Sequence, residues 1–166
     1  MDAPRVIQTV QGDFVASVRL KKSQWPSPGT GVNADQPLSY VSAGLLVWQD
    51  ELNLLRLQRA ANGDTGFVGS FGQFISDGKN IGGSLMPRAD EATYQRRVNQ
   101  DAYLRLERKA GRFVLWKSND GRNWTMLQTQ GQALTLADKV SVGVFVINAT
   151  NRPIQREFTD FILTTN

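Results

Sequence analysis

The stretch GDFVASVRL, residues 12–20, alternates apolar and polar side chains with a period of two. Phe14, Ala16, Val18 and Leu20 share one face of an extended strand, because successive side chains of a strand point to opposite faces. Most of the residues between them are polar and point the other way. This pattern predicts a strand with one face against a core and the other in water.

The same alternation recurs along the chain, and no segment shows a sustained helical stripe. Further strands are expected near residues 3–10, 41–48, 52–60, 65–75, 81–87, 102–109, 112–118, 124–130, 139–148 and 154–164. Turns containing Gly or Asn, which tolerate positive φ, separate strands at residues 61–64, 77–80, 109–112 and 119–122. About eleven strands in one domain favour an all-β, two-sheet antiparallel β-sandwich of the jelly-roll type, because a single open sheet of that size would expose a face and its edges.

The chain has 166 residues, enough for one domain with a full core and too few for two ordinary ones. We expect a single domain over residues 1–166, and Met1 is compatible with excision from a larger protein. No apolar run approaches the roughly 20 residues that cross a bilayer, so we expect no membrane insertion. The compartment is left open, with the cell exterior or periplasm slightly favoured if the domain belongs to a larger secreted protein.

The chain contains no His and no Cys. This excludes catalytic triads that need an imidazole base, thiol nucleophiles and disulfides. It also excludes zinc, haem and iron–sulfur sites that are ligated by imidazole or thiolate. The composition therefore excludes most known catalytic mechanisms and most metal sites that depend on His or Cys.

The formal net charge of +4 comes from 19 basic and 15 acidic residues. This excess is modest for a nucleic-acid binder, which concentrates its charge on one face. Alternation splits several of the cations of one predicted hairpin between its two faces: Arg105, Arg108, Lys109, Arg112 and Lys117. Nucleic acid is therefore not expected as a partner.

Two long segments carry no strand pattern, residues 21–39, which contain the run Trp25–Gly29, and residues 88–101. Loops longer than about 12–15 residues in compact domains are often functional. A solvated insertion is the alternative for each segment, and residues 90–97 are alternatively one helical turn.

Three segments together resemble a known family. SAGLLVWQDE (42–51) followed by LLRL (54–57) is similar to one hairpin of bacterial concanavalin A-like domains. YLRLER (103–108) followed by FVLWKSNDGRNW (113–124) is similar to their second hairpin, and REFTDF (156–161) resembles their last strand. These relatives include laminin-G-like modules, the C-terminal sandwich of some xylosidases and a domain of unknown function of the "regulation of enolase" type. The resemblance implies a concanavalin A-like jelly roll.

The second hairpin ends in the motif S-x-D-G-x-x-W, residues 118–124. Asp and Gly are residues that turns favour, so we interpret the motif as structural. Asp120 and Gly121 are predicted to form the turn, and Trp124 to pack behind it.

The concanavalin A-like superfamily includes glucanases, so the acidic residues of the chain must be checked for a catalytic pair. Retaining glycosidases require two carboxyl groups about 5–5.5 Å apart, which acids at alternate positions of one strand provide. None of the 15 acidic residues forms such a pair, and neighbours such as Asp50 and Glu51 point to opposite faces of a strand. We therefore predict no enzymatic activity. A glycoside hydrolase is the weaker alternative, since two distant strands can also supply an acid pair.

No cofactor is predicted, with calcium kept open. Calcium takes six to eight oxygen ligands, and several acids fall at predicted turns where they could gather around such an ion. The chain has no EF-hand spacing and no Asp-rich run. Ordinary solvated acids are therefore the alternative to a calcium site.

A carbohydrate is the most favoured ligand, because aromatic rings stack under sugar faces while planar polar groups bind the hydroxyls. If the leucines of the second hairpin face the core, its other face carries four residues of these kinds, and we expect the neighbouring hairpin to add two to the same face. The candidate binding residues are Trp48, Arg56, Tyr103, Arg105, Glu107 and Trp116.

Two alternatives to a sugar site stay open for these residues. Trp48 and Trp116 could serve the structure alone, as part of the core or beneath the 21–39 segment. Exposed aromatic residues and arginines are also favoured at protein interfaces, so the chain could be a protein-interaction or assembly module of a larger bacterial protein, with a partner protein or neighbouring domains.

Overall fold

The computed structural model describes residues 3–32, 38–84, 99–127 and 129–165. The described residues form twelve β-strands. These are β1 (Arg5–Gln11), β2 (Phe14–Leu20), β3 (Tyr40–Trp48), β4 (Leu54–Asn62), β5 (Phe67–Ser76), β6 (Lys79–Ser84), β7 (Ala102–Lys109), β8 (Arg112–Ser118), β9 (Thr125–Met126), β10 (Thr129–Gly131), β11 (Lys139–Ala149) and β12 (Phe158–Thr165). In this part of the chain, no helix has the length and apolarity that a transmembrane segment requires.

The strands form two sheets. One has seven strands in the order β1-β11-β3-β4-β5-β6-β10, and the other has five in the order β12-β2-β7-β8-β9. All neighbouring strands are antiparallel. The prediction of an all-β, two-sheet antiparallel sandwich is confirmed.

The hairpin of β7 and β8 lies where the alternation predicted it. Ala110 and Gly111 connect the strands with φ of 48° and 76°, as a two-residue hairpin turn requires. The Asp13 carboxylate accepts a hydrogen bond from the Ala110 N–H at 2.9 Å, which fixes this turn against the start of β2. The turn chemistry in the sequence therefore determined this hairpin.

The single strand predicted over residues 124–130 is wrong. Two short strands occur there, and β9 pairs with β8 in the five-stranded sheet whereas β10 pairs with β6 in the seven-stranded sheet. The chain therefore changes sheets between β9 and β10, which divides the segment into two short strands. The prediction over 154–164 is wrong at its start, since β12 begins at Phe158. Residues 85–87 of the 81–87 prediction, most of the 88–101 segment and the helical turn proposed at 90–97 lie outside the described residues.

The main core lies between the sheets. Phe14, Ala16, Val18 and Leu20 are each at most 5% exposed, which confirms the inward face that their spacing predicted. From the seven-stranded sheet, Ala43, Leu45, Val47, Leu55 and Leu57 meet them in the same cluster. The inner face of each sheet is therefore largely apolar, although it also carries a buried arginine, Arg59 on β4 and Arg108 on β7.

One glycine lies against a leucine of the opposite sheet. Leu104, Leu106 and Leu115 of the five-stranded sheet are fully buried, as predicted. A Cβ at Gly72 would lie 2.2 Å from Leu115 Cδ1, so a larger residue there would require this leucine side chain to shift.

The outer face of the seven-stranded sheet is also apolar over much of its area. Leu46, Leu54 and Phe145 are at most 2% exposed and form a cluster of their own, with Trp48 packed against it. A second cluster on the same face combines Ala60, Phe67 and Phe71 with Tyr40. This sheet therefore has buried side chains on both of its faces.

Candidate functional site

The six predicted site residues lie on two different surfaces. Tyr103, Arg105, Glu107 and Trp116 share the outer face of the five-stranded sheet, because Arg105 pairs with Trp116 and their inward neighbours are buried. Trp48 and Arg56 lie on β3 and β4 of the other sheet and point away from the core. The expectation of one common face is wrong.

The expectation failed because a local sequence pattern does not show which strands pair over long range. Alternation determines which residues of one hairpin share a face, but it does not determine the sheet that the hairpin joins. The β3–β4 hairpin pairs with β11 and β5, whereas the β7–β8 hairpin pairs with β2 and β9. The outer faces of the two sheets, called below the seven-stranded face and the five-stranded face, are therefore on opposite sides of the sandwich.

On the five-stranded face, Tyr103 supports the neighbouring turn. Its ring covers Gly121, where an added Cβ would lie 2.9 Å from Tyr103 Cε1. The Arg19 guanidinium lies 5.5 Å from the centre of the same ring and is itself paired with Asp101 at 2.6 Å. Tyr103 is half-buried, and these two structural contacts favour a stabilising role for its ring over a sugar platform.

The polar groups of Arg105, Glu107 and Trp116 are used less fully by the structure. Arg105 Nη2 lies 3.7 Å from Glu107 Oε2, and the two side chains are 41% and 30% exposed. Arg105 Nε and the Trp116 indole N–H are buried without a hydrogen-bond acceptor among the described residues. These three residues, called the Arg–Glu–Trp group, keep unused hydrogen-bonding capacity on a half-exposed surface.

The seven-stranded face carries four polar side chains in contact, called the polar row: Tyr40, Arg56, Gln58 and Gln73. Arg56 Nη2 donates to Gln73 Oε1, and the Tyr40 hydroxyl donates to Gln58 Oε1 at 3.3 Å. The strand register explains the contacts, since Arg56 lies opposite Gln73 in the β4–β5 pair. Gln58 is only 1% exposed, whereas the other three are half-buried and reach the surface in part.

Burial also changes the electrostatics of the polar row. Desolvation lowers the pKa of the Arg56 guanidinium and raises the pKa of the Tyr40 hydroxyl. Arg56 Nε has no acceptor among the described residues. The row therefore combines a desolvated cation, a neutral phenol and two amides, which together are able to donate and accept hydrogen bonds at neighbouring positions.

Trp48 forms the apolar edge of this surface. The Arg5 guanidinium lies 4.1 Å from the centre of its ring, and Leu46 and Leu54 pack around it in the outer cluster. Trp48 is half-buried. Its main role is packing, the alternative that the sequence left open, although its exposed part borders the strand positions next to Arg56.

Sequence reasoning did not predict three members of the polar row as site residues, namely Tyr40, Gln58 and Gln73. Arg56 and Gln58 already showed the signal, because they occupy alternate positions of one strand. Phe71 and Gln73 show the same spacing on β5, and the predicted turn at 61–64 would have placed the two strands side by side. Tyr40 had no comparable signal, since it is the first residue of its strand.

The carboxylates of three loop acids already accept hydrogen bonds from the protein. Asp50 and Asp120 each accept hydrogen bonds from backbone N–H groups two and three residues later and from the amide of Asn53 or Asn123. These donors hold the pKa of both carboxyl groups below its usual range, well below it for Asp120. Asp64 accepts in the same way from Gly29 and Ser39, which lowers its pKa.

The loop acids bear on two earlier predictions. In the motif at residues 118–124, Asp120 and Gly121 form the predicted turn, with φ of 73° at Gly121, and Trp124 is half-buried.

Calcium binding stays a prediction. Asp50, Asp64 and Asp120 do not favour it because their oxygens already accept hydrogen bonds. Among the residues that the structure describes, no group of three or more acidic side chains is placed to hold a metal ion.

Comparison with known proteins identifies the fold. No protein-family model matches the chain, and no curated protein matches it significantly. Among solved structures, a functionally unknown protein from Saccharomyces cerevisiae is similar, with a TM-score of 0.73 and 17% identity over 100% of this chain and 76% of that chain. The sandwich is of the concanavalin A-like and galectin type.

Two further structures share this fold. A xylan β-1,4-xylosidase from Bacillus halodurans aligns with a TM-score of 0.61 and 14% identity, over 92% of this chain. The alignment spans only 28% of that enzyme. Sheep galectin-11 aligns with a TM-score of 0.53 and 10% identity, over 96% of this chain and 97% of the galectin. Identities this low establish the fold alone.

Proposed function

We propose that this protein is a non-catalytic carbohydrate-binding module whose sugar site is the polar row of the seven-stranded face. The observation that carries the proposal is the burial of convergent polar groups on an outer face that is otherwise packed with apolar residues. Burying a polar group costs about 1–3 kcal/mol unless it is fully hydrogen-bonded. The sandwich does not need these groups for its core, so their retention is best explained by a ligand.

The chemistry of the row suits a sugar. Guanidinium and amide groups are planar and bind pairs of neighbouring hydroxyls, and the ring of Tyr40 packs against the apolar cluster that contains Phe71. Binding sites for small molecules combine such apolar walls with a few convergent polar groups. The galectin with this fold was solved in complex with glycerol, a polyol, which further supports a hydroxylated ligand.

The strands of the proposed site argue for binding without catalysis. None of the seven strands of that sheet contains an Asp or a Glu. A glycosidase needs two carboxyl groups that flank the scissile bond, and these strands supply neither. A glycoside hydrolase stays the weaker alternative, because it would require acids from the surrounding loops.

The experiment is a glycan array on the wild type and on Arg56→Met. We expect the variant to lose at least about tenfold in affinity for the glycans that the wild type binds, equivalent to about 1.4 kcal/mol. Its stability should change little or rise, because an apolar residue of similar length removes a desolvated charge. Arg105→Met on the opposite face is the matched control and should bind like the wild type.

Two results would count against this site. Binding that survives Arg56→Met but is lost in Arg105→Met would move the site to the Arg–Glu–Trp group. A wild type that binds no glycan on a broad array would overturn the carbohydrate proposal itself.

A protein-interaction module is the second candidate, and the five-stranded face favours it. Met126 is 52% exposed and Ile162 is 56% exposed, at opposite edges of that sheet. Trp116 and Arg105 lie between them, and these are residue types that dominate binding at protein interfaces. A partner protein that co-purifies with the wild type and with Arg56→Met, but not with Trp116→Ala, would support this candidate.

Other attributes stay predictions. These are a single domain over residues 1–166, kinship with laminin-G-like modules or with bacterial domains of the "regulation of enolase" type, and a location in the cell exterior or periplasm.

A further inference from the structure

A cavity of about 440 Å³ opens at one rim of the sandwich, and its lining shares no residue with the polar row or with the Arg–Glu–Trp group. Its lining comes from residues 22–27 with Thr30 on one side, and from Thr150, residues 152–155 and Glu157 on the other, so the first part of the long 21–39 segment forms one wall. The volume falls within the range of about 300–1,000 Å³ that is typical of small-molecule sites.

The walls of this rim cavity are fixed by their own contacts. Arg156 Nη1 donates to Ser23 Oγ and to the Gln24 carbonyl, and the guanidinium lies 4.3 Å from the centre of the Trp25 ring. The Asn151 N–H donates to the Thr30 carbonyl at 2.8 Å, which joins the two walls at the other end. The cavity is therefore built into the fold and does not require a ligand to form.

The lining of the cavity carries a net positive charge. Lys22 and Arg152 line it, with Glu157 as the only acid in its lining. None of these three forms an ion pair among the described residues. Arg156 contacts the wall residues Ser23 and Trp25, and its Nε and Nη2 have no acceptor among the described residues. Burial lowers the pKa of Arg156 to about 10, so its side chain is still charged at neutral pH. An anion in the cavity would compensate this charge.

We infer that the rim cavity binds a sugar acid, a mono- or disaccharide that carries one carboxylate. Lys22 and Arg152 are exposed at its mouth and are free to pair with the carboxylate. Pro153 supplies exposed apolar surface for a sugar ring, and Ser23 and Ser27 are among the hydroxyl residues of the lining. Glu157 repels a second negative charge, which favours a carboxylate over a phosphate dianion.

The test is a titration followed by NMR, with D-glucuronate, D-glucose and inorganic phosphate as separate probes. D-glucuronate should shift the Trp25 indole signal and bind at least about tenfold more tightly than D-glucose. The affinity should fall as ionic strength rises, because the pairing groups are exposed. In the double variant Lys22→Gln and Arg152→Gln, the affinity should fall by a similar factor, and both substitutions are at exposed positions that leave the backbone contacts intact.

Matched controls separate this inference from the carbohydrate proposal above. The pair Lys79→Gln and Arg112→Gln removes the same charge elsewhere on the surface and should leave glucuronate binding unchanged. Arg56→Met should also leave it unchanged, because the polar row is a different site. Equal affinity for glucuronate and glucose, phosphate binding as tight as that of glucuronate, or no effect of the double variant would each overturn the inference.

Discussion

The two outer faces of the sandwich are made from similar strand patterns and differ in what they bury. On the seven-stranded face, Leu46, Leu54 and Phe145 are nearly inaccessible, and Arg56 is desolvated among them. On the five-stranded face, Arg105 and Glu107 form an ion pair at 3.7 Å at a half-exposed surface. A polar residue is costly on the first face and inexpensive on the second. It is therefore stronger evidence of function on the first.

The largest expected effect tests whether the seven-stranded face is a second core. Phe145→Ala should lower the free energy of unfolding by about 3–5 kcal/mol, because it removes a large side chain that is only 1% exposed. Met126→Ala on the five-stranded face should change it by less than about 0.5 kcal/mol, because Met126 is 52% exposed. Urea denaturation measures both values.

The difference between these variants matters more than either value. A loss of less than about 1 kcal/mol for Phe145→Ala would mean that the outer cluster contributes little stability. The buried polar row would then lose its significance, since a loosely packed face imposes little desolvation on the groups that lie in it.

Much of the fold was predictable because it depends on local patterns. The alternation of residues 102–118 and the turn at Ala110 and Gly111 gave both strand ends of the β7–β8 hairpin correctly. The inward leucines of that hairpin followed from the same spacing. Strand existence and facing are properties of a few neighbouring residues, and the sequence contains them directly.

The assignment of hairpins to sheets was not predictable in this way. Trp48 and Arg56 were expected beside Arg105 and Trp116, but long-range pairing places the two hairpins in different sheets. The 124–130 segment failed for a related reason, since its pattern does not show that the chain changes sheets. The contact of Arg56 with Gln73 likewise depends on register between strands.

The intermediate effect concerns Tyr40 of the polar row. Burial raises the pKa of its hydroxyl above the ordinary value of 10.0, so folding favours the neutral phenol. The stability that Tyr40 contributes is therefore complete below pH 10 and is lost as the pH rises through the higher folded value. In an ultraviolet titration, Tyr40→Phe should remove tyrosinate absorbance that develops above pH 10, with Tyr103→Phe of the opposite face as the control. If the absorbance that is lost in Tyr40→Phe develops at or below pH 10 in the wild type, the Tyr40 hydroxyl is accessible to water and the prediction is wrong.

The smallest expected effect compares the polar contacts of the two faces by double-mutant cycles. The coupling between Arg105 and Glu107 should be about 0.2–1 kcal/mol and should weaken with added salt, because both side chains are solvated. The coupling between Arg56 and Gln73 should be about 1–3 kcal/mol, because removal of Gln73 leaves a desolvated guanidinium without its acceptor. A strong, salt-independent coupling between Arg105 and Glu107 would reverse the contrast between the faces. It would mean that this pair is committed to the structure, and the Arg–Glu–Trp group would then no longer be free to bind a partner.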